Sequence, residues 1–437
     1  MKMFQNKILD LKQHWFIRNV AALQAGSFGG TIIQAVIGIV IARLVQPENF
    51  GTYSLAIGMA GMTSLVLGMG IQEAVSSLLG RAYVRKDNIE IENILGFMLK
   101  ITFLAALGVI LISIFLPNIA DKLYGNSVIG VYAAVVVIAT VFSSLFFTLT
   151  YSSFQVIGRT RSLGLLILSD QSLRYVLSLI FVLVGFGVLG AVSGQLAGAM
   201  IIFVVSALLF ANISKKEPLF PKLLHLLSSV ARADVKKYFG FTFWVALDRN
   251  MGNIFMALPV ILTGVYVTVS EVSFFKLAFG YTNLVLSLLG PISVLLNVEF
   301  PKIQVQDEGQ LYRNFKKVSL YSLGLSVLLT IGAAIVSPFV FKILYGESYV
   351  PSIKYIFGLV AYGSLFGIGV GLGPMWRAID KVKVSILINS VILVAGIPVG
   401  LWLIKNYGLW GSVIMVTIWF SVSHVVSFAY LVKKLKK

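Results

Sequence analysis

Long apolar runs recur along the chain, each interrupted by a short polar stretch or by Pro and Gly. A helix that crosses a membrane needs about 20 mainly apolar residues, because each adds ~1.5 Å across a hydrocarbon core of ~30 Å. Twelve runs meet that length: 18–45, 51–80, 93–117, 127–157, 162–186, 188–213, 238–266, 271–300, 315–342, 350–376, 384–404 and 409–432. The clearest breaks are Gln46-Pro47-Glu48-Asn49, Tyr124-Gly125-Asn126 and the basic stretch from Ser214 to Lys237. The pattern predicts an all-α integral membrane protein with 12 transmembrane helices. Residues 1–17 are too polar for the core of a signal peptide; Met3, Phe4, Ile8, Leu11 and Trp15 instead predict one face of an amphipathic segment lying on the membrane.

Composition narrows the function classes. The 437 residues are 58% hydrophobic and 12% charged, about half the charged share of a soluble domain, so a large water-soluble enzyme is excluded. Cysteine is absent, and His14, His225 and His424 are far apart, which leaves neither a disulfide nor a metal cluster. With no Walker loop and no nucleophile triad, neither an enzyme nor an ATP-driven pump is expected, and no cofactor is implied. Energy would come from an ion gradient or from the substrate's own gradient. The net charge is +18, and its placement is informative. With the N-terminus inside, 27 of the 35 Lys and Arg fall in cytoplasmic loops and six in outer ones, with Arg174 and Arg249 inside spans. Both termini are therefore expected in the cytoplasm. These bases border membrane lipid and would meet anionic headgroups, not nucleic acid.

The chain also repeats itself. Pro117 with Leu123-Tyr124-Gly125 recurs as Pro338 with Leu344-Tyr345-Gly346, a shift of 221 residues. Gly187-Val188-Leu189-Gly190 recurs as Gly408-Leu409-Trp410-Gly411 at the same shift, and Leu55-Ala56-Ile57-Gly58 matches Leu277-Ala278-Phe279-Gly280 at 222. The expected organisation is a six-helix lobe over 18–213, a cytoplasmic linker over 214–237 with a short surface helix, a second six-helix lobe over 238–432 and a basic tail over 433–437. With an even number of crossings per half, the two six-helix lobes point the same way. They should be related by a pseudo-two-fold axis along the membrane normal, an arrangement suited to alternating access.

The segment Ala42-Arg43-Leu44-Val45-Gln46-Pro47-Glu48-Asn49-Phe50-Gly51-Thr52-Tyr53 resembles the signature of bacterial polysaccharide-export flippases. These are the O-antigen type of the multidrug/oligosaccharidyl-lipid/polysaccharide (MOP) superfamily. The Leu-Tyr-Gly turns, Asp248-Arg249 and Gly264-Val265-Tyr266 resemble that family too. The resemblance implies two lobes around a central cavity lined by spans 1, 2, 7 and 8. It also implies a polyprenyl-pyrophosphate-linked oligosaccharide as substrate, moved from the inner to the outer leaflet of the bacterial inner (cytoplasmic) membrane. Polysaccharide polymerase machinery is then a partner to expect. The alternative is a cation-coupled multidrug exporter of the same superfamily.

A pyrophosphate cannot cross hydrocarbon bare, and ionisable residues inside spans are functional candidates. Arg249 stands 11 residues into span seven, ~17 Å deep, and Arg174 stands at a similar depth in span five. With Lys276 nearer the outer face, these form the candidate headgroup set, Arg being apt for bidentate phosphate contacts. Asp170 is on the same face as Arg174, so the two either neutralise each other or leave the guanidinium for substrate. Glu73, Asp248 and Asp170 are the acids suited to coupling with H+ or Na+. No residue set points to a bound metal.

Overall fold

The computed structural model describes residues 15–67, 71–306 and 308–436, and every regular element among them is helical. In chain order the helices are α1 (Trp15–Thr63), α2 (Ile71–Val84), α3 (Asn88–Ser113), α4 (Leu116–Tyr124), α5 (Ser127–Val156), α6 (Thr160–Phe181), α7 (Gly187–Lys216), α8 (Leu223–Ser229), α9 (Lys236–Thr263), α10 (Val269–Leu286), α11 (Gly290–Gln306), α12 (Glu308–Val340), α13 (Ile353–Gly358), α14 (Val360–Gly369), α15 (Leu372–Ala378), α16 (Val382–Tyr407) and α17 (Leu409–Leu435). Among the described residues eight helical stretches are long and apolar enough to cross a membrane, nine if a bent pair counts as one. One stretch, Thr160–Lys216, holds 57 residues and contains a reversal. Its chain turns at Gly185 (φ 102°) and Gly187 (φ 52°), after which Gly190, Gly194 and Gly198 pack directly on the backbones of Phe181, Ser178 and Arg174. These helices are compatible with the twelve expected crossings. The amphipathic reading of residues 1–17 rests on positions that lie outside the described ones.

The chain forms two compact units. The first holds the residues up to Leu44 together with Met59–Asn250. Its core brings Leu79, Phe97, Leu149, Phe210 and Leu226 together. Helix starts follow capping chemistry: the Asp87 carboxylate accepts from Glu90 N at 2.9 Å ahead of α3, and Asn126 Oδ1 accepts from Val128 N at 3.0 Å ahead of α5. The basic stretch 214–237 carries α8, a short helix as expected, and it is bound to this unit. Lys100 Nζ donates to Ala231 O at 2.7 Å and Ala233 O at 2.9 Å. Glu90 accepts from Lys237 and, at 2.8 Å, from the Tyr238 hydroxyl. Hydrogen bonding to Glu90 raises the Lys237 ammonium above the usual lysine range.

The second unit holds Val45–Gly58 and Met251–Lys437, with Phe300, Phe315, Trp376 and Leu431 in its core. Here α1 breaks at Gln46 (φ 67°, ψ 166°), just before Pro47, and Gln46 Oε1 accepts from Ser348 Oγ at 3.1 Å. Gly51 lies against the carbonyl of Val269 with no space for a side chain. Thr268 and Glu271 form a reciprocal capping box that starts α10. The expected span 350–376 is bent by 53° between Glu347–Gly358 and Val360–Ala378. Near and beyond the bend Gly358, Gly363, Gly367 and Gly369 press on Trp410, Thr330, Ser322 and His424, and glycine lowers helix propensity.

Apolar residues dominate the outer surfaces of both units. Leu107, Leu328, Phe339 and Val394 are 57%, 71%, 70% and 74% exposed. Such faces are a liability in water and the natural surface of a chain solvated by lipid.

Candidate functional site

The expected second span, 51–80, is not one helix. α1 ends at Thr63, a 3-10 turn runs over Ser64–Val66, and α2 begins at Ile71. The turn lies 13 residues beyond Gly51, ~20 Å along the helix, and departs from the α-helical bonding of its carbonyls. One of them is satisfied from afar: Asn250 Nδ2 donates to Leu65 O at 3.1 Å. Non-helical backbone at membrane depth persists where protein buries it or where it lines a watered cavity. Asn250 directly follows Asp248 and Arg249 in the middle of α9. The bond therefore brings that stretch of α9 beside the break, and Glu73 follows on the first turn of α2. The side chains of Glu73, Asp248 and Arg249 lie outside the described residues; their helical positions are what the structure gives.

Arg174 is held by its own helix. Its Nη2 donates to Asp170 Oδ2 at 2.7 Å and its Nε to Asp170 O at 3.3 Å. The two side chains are 22% and 13% exposed. Of the two alternatives raised by the spacing, the ion pair is the one formed. Asp170 Oδ1 and Gln171 Oε1 remain buried without a hydrogen-bond partner. α1 and α6 meet along a seam beside this pair. Gly26 lies on Gly164, and Gly30 leaves the notch that Gln171 fills. Gln34 Nε2 donates to the Tyr175 hydroxyl at 2.6 Å.

In the second unit Lys276 occupies the second turn of α10, seven residues past Val269 and ~10 Å along the axis. It is half-buried and has no hydrogen-bond or ion-pair partner among the described residues. Gly280, one turn on, faces open space. Asn283 Oδ1 accepts from the Tyr362 hydroxyl at 2.6 Å, and further along Asn297 Oδ1 accepts from Arg377 at 2.7 Å. α10 and α11 thus carry polar groups at successive depths, interrupted by the 3-10 turn Ser287–Leu289 just before Pro291. The neutral amides Gln34, Gln171, Asn250, Asn283 and Asn297 were outside a sequence reading that weighed only charges. Their mark in the sequence is plain enough, an amide inside an otherwise apolar span. Among the described residues no group of three His, Asp or Glu could hold a metal ion.

Residues 40–354 match a family model described as polysaccharide biosynthesis protein. A comparison with curated protein sequences finds no match. Among solved structures, the fold is similar to the inward-facing conformation of a multidrug resistance MATE family transporter of the MOP superfamily, with TM-score 0.73, 17% identity and coverage of 92% of this chain and 95% of that one. It is also similar to the eukaryotic MATE transporter AtDTX14, with TM-score 0.66, 15% identity and coverage of 97% and 99%. A third similar structure is a MOP superfamily transporter from Pyrococcus furiosus, described as having a binding pocket of reverse polarity that suggests a different function. Its TM-score is 0.62 at 17% identity, with 96% of each chain covered. At these identities the likeness is one of fold.

Proposed function

The chain belongs to the polysaccharide biosynthesis protein family, with the fold of a multi-pass MOP-superfamily transporter, and on that premise we propose that it is a flippase for lipid-linked oligosaccharide. The substrate is an oligosaccharide joined through pyrophosphate to a polyprenol. It moves from the cytoplasmic to the outer leaflet of the bacterial inner membrane by alternating access, with both termini cytoplasmic. The observation that carries this reading is the helix break at Ser64–Val66, held by Asn250 beside the Asp248-Arg249 stretch. Discontinuous helices at mid-membrane are where secondary transporters build their sites.

Arg249 and Lys276 are the cations assigned to the headgroup. Leaving a lysine at hydrocarbon depth costs about 2.5–3.5 kcal/mol on insertion scales, and an anionic substrate offsets that cost. Arg174 takes a lesser part because Asp170 already occupies its guanidinium. Glu73 and Asp248 are the acids assigned to H+ or Na+ coupling, with Asp170 in reserve through its unpartnered oxygen. Polymerase machinery would take the product at the outer face.

A second reading, a cation-coupled multidrug exporter, is favoured by the MATE identity of similar folds. An organic cation calls for an acidic cleft, whereas Lys276 is a base with no ion-pair partner among the described residues. The similar P. furiosus structure is described with a binding pocket of reverse polarity that suggests a different function. Deleting the gene separates the readings. Accumulation of polyprenyl-linked repeat units facing the cytoplasm supports the flippase; lost drug resistance with normal polymer supports the exporter.

A further inference from the structure

An apolar groove of about 250 Å³ runs along the outside of the second unit between α16 and α17. Ala395, Gly396 and Val399 line one side, and Met415, Ile418 and Val422 the other. The small residues open it: Gly396 rests on the Trp419 indole and Gly400 on the Met415 thioether, so the two helices approach closely and leave a furrow at their outer edge. Its depth in the membrane can be read from its ends. Trp402, Tyr407 and Trp410, 57%, 55% and 43% exposed, cluster where α16 turns into α17 and mark one headgroup layer. At the opposite end Lys381, Lys383, Lys433 and Lys434 are all exposed and mark the other.

We propose that this groove seats the isoprenoid tail of the substrate carrier while the lysines at its foot receive the phosphates. The proposal rests on the flippase reading above and adds a second station to it, away from the charged mid-membrane site. Two observations choose the occupant. The basic foot is complementary to an anionic headgroup. Length then decides which anionic lipid fits. From Lys383 the groove begins eight residues up, at Val391, and ends twenty residues up, at Leu403, which is ~12 Å and ~30 Å along the helix. An acyl chain of one leaflet reaches about half of a ~30 Å core and would only enter the groove. A polyprenyl chain anchored at the same lysines is long enough to fill it. Because the groove covers the middle and outer depths, such a tail can keep its seat while the headgroup crosses from one face to the other.

The test uses the full chain in vesicles of phosphatidylethanolamine and phosphatidylglycerol, with a polyprenyl phosphate that carries a photoreactive diazirine in its tail. Crosslinks are expected in peptides 391–403 and 415–422. Unlabelled polyprenyl phosphate should displace them and excess phosphatidylglycerol should not. Ala395→Phe, at an exposed position where the ring fills the furrow, should lower the crosslink about tenfold without moving the thermal midpoint. Val399→Phe is the second variant should the first fold poorly. Lys433→Gln with Lys434→Gln should weaken probe binding and leave what remains less sensitive to salt. Equal displacement by phosphatidylglycerol would mean bound bulk lipid only and would overturn the proposal, as would crosslinks confined to other helices. Neither result touches the flippase reading, which fails separately if the wild-type chain does not translocate substrate.

Discussion

Gly187 and Gly408, 221 residues apart, share one backbone conformation: φ 52°, ψ −134° at the first and φ 55°, ψ −133° at the second. Each is followed by a glycine three residues on, Gly190 or Gly411, pressed on the backbone of the preceding helix. These two turns therefore repeat in geometry as well as in sequence. An L side chain is strained at such angles, by about 1–3 kcal/mol. Gly187→Ala and Gly408→Ala should each lower the thermal midpoint of the purified protein in detergent. Gly332→Ala, helical and facing open space, should leave it unchanged or raise it slightly.

The Asp170–Arg174 pair is expected to act as one unit. Removing one partner leaves a largely buried charge alone, at a cost of about 3 kcal/mol, so Asp170→Asn and Arg174→Gln should each destabilise the protein. The double variant should recover most of the loss. Thermal midpoints of the four proteins close this cycle; additive losses would show that the pair does not couple.

How far the sequence reached depended on separation along the chain. The Asp170–Arg174 pair was legible because residues four apart share a helix face. The contacts Gln34–Tyr175 and Asn250–Leu65, 141 and 185 residues apart, were not, because nothing local encodes which distant helix meets which. The helix break at Ser64–Val66 escaped for a related reason: Thr63-Ser64-Leu65-Val66 is apolar enough to continue a span, and its non-helical state is completed by an amide on another helix. The 214–237 stretch does carry a short helix, Leu223–Ser229, but Phe220 and Leu226 are buried in the first unit's core. That Lys100 and Glu90 bind it to the first unit could not be seen in its own residues.

Asn250→Leu should test the break. It keeps the size of the side chain but leaves Leu65 O without its donor, a loss of about 1–3 kcal/mol. Asn250→Gln should recover part of it. The expected signature is faster hydrogen exchange confined to residues flanking 64–66, measured by mass spectrometry, with distant helices unchanged.

Lys100→Met should free the linker. Without the two hydrogen bonds to Ala231 O and Ala233 O, trypsin should cut at Lys222, Lys236 or Lys237 several times faster, while cleavage at the 433–437 tail stays constant. Linker cleavage no faster in the variant than in the wild type would mean that the lysine does not hold the segment.

The most direct measurement of the central claim is translocation by the purified chain in vesicles. A fluorescent polyprenyl-pyrophosphate oligosaccharide is placed in one leaflet, and its exposure in the other is read with a membrane-impermeant quencher. The wild type should move it, Lys276→Arg should retain most of that rate, and Lys276→Ala combined with Arg249→Ala should lose at least about tenfold, a transition-state loss of about 1.4 kcal/mol. A wild type that leaves the lipid in place, or a double variant as fast as the wild type, would contradict it.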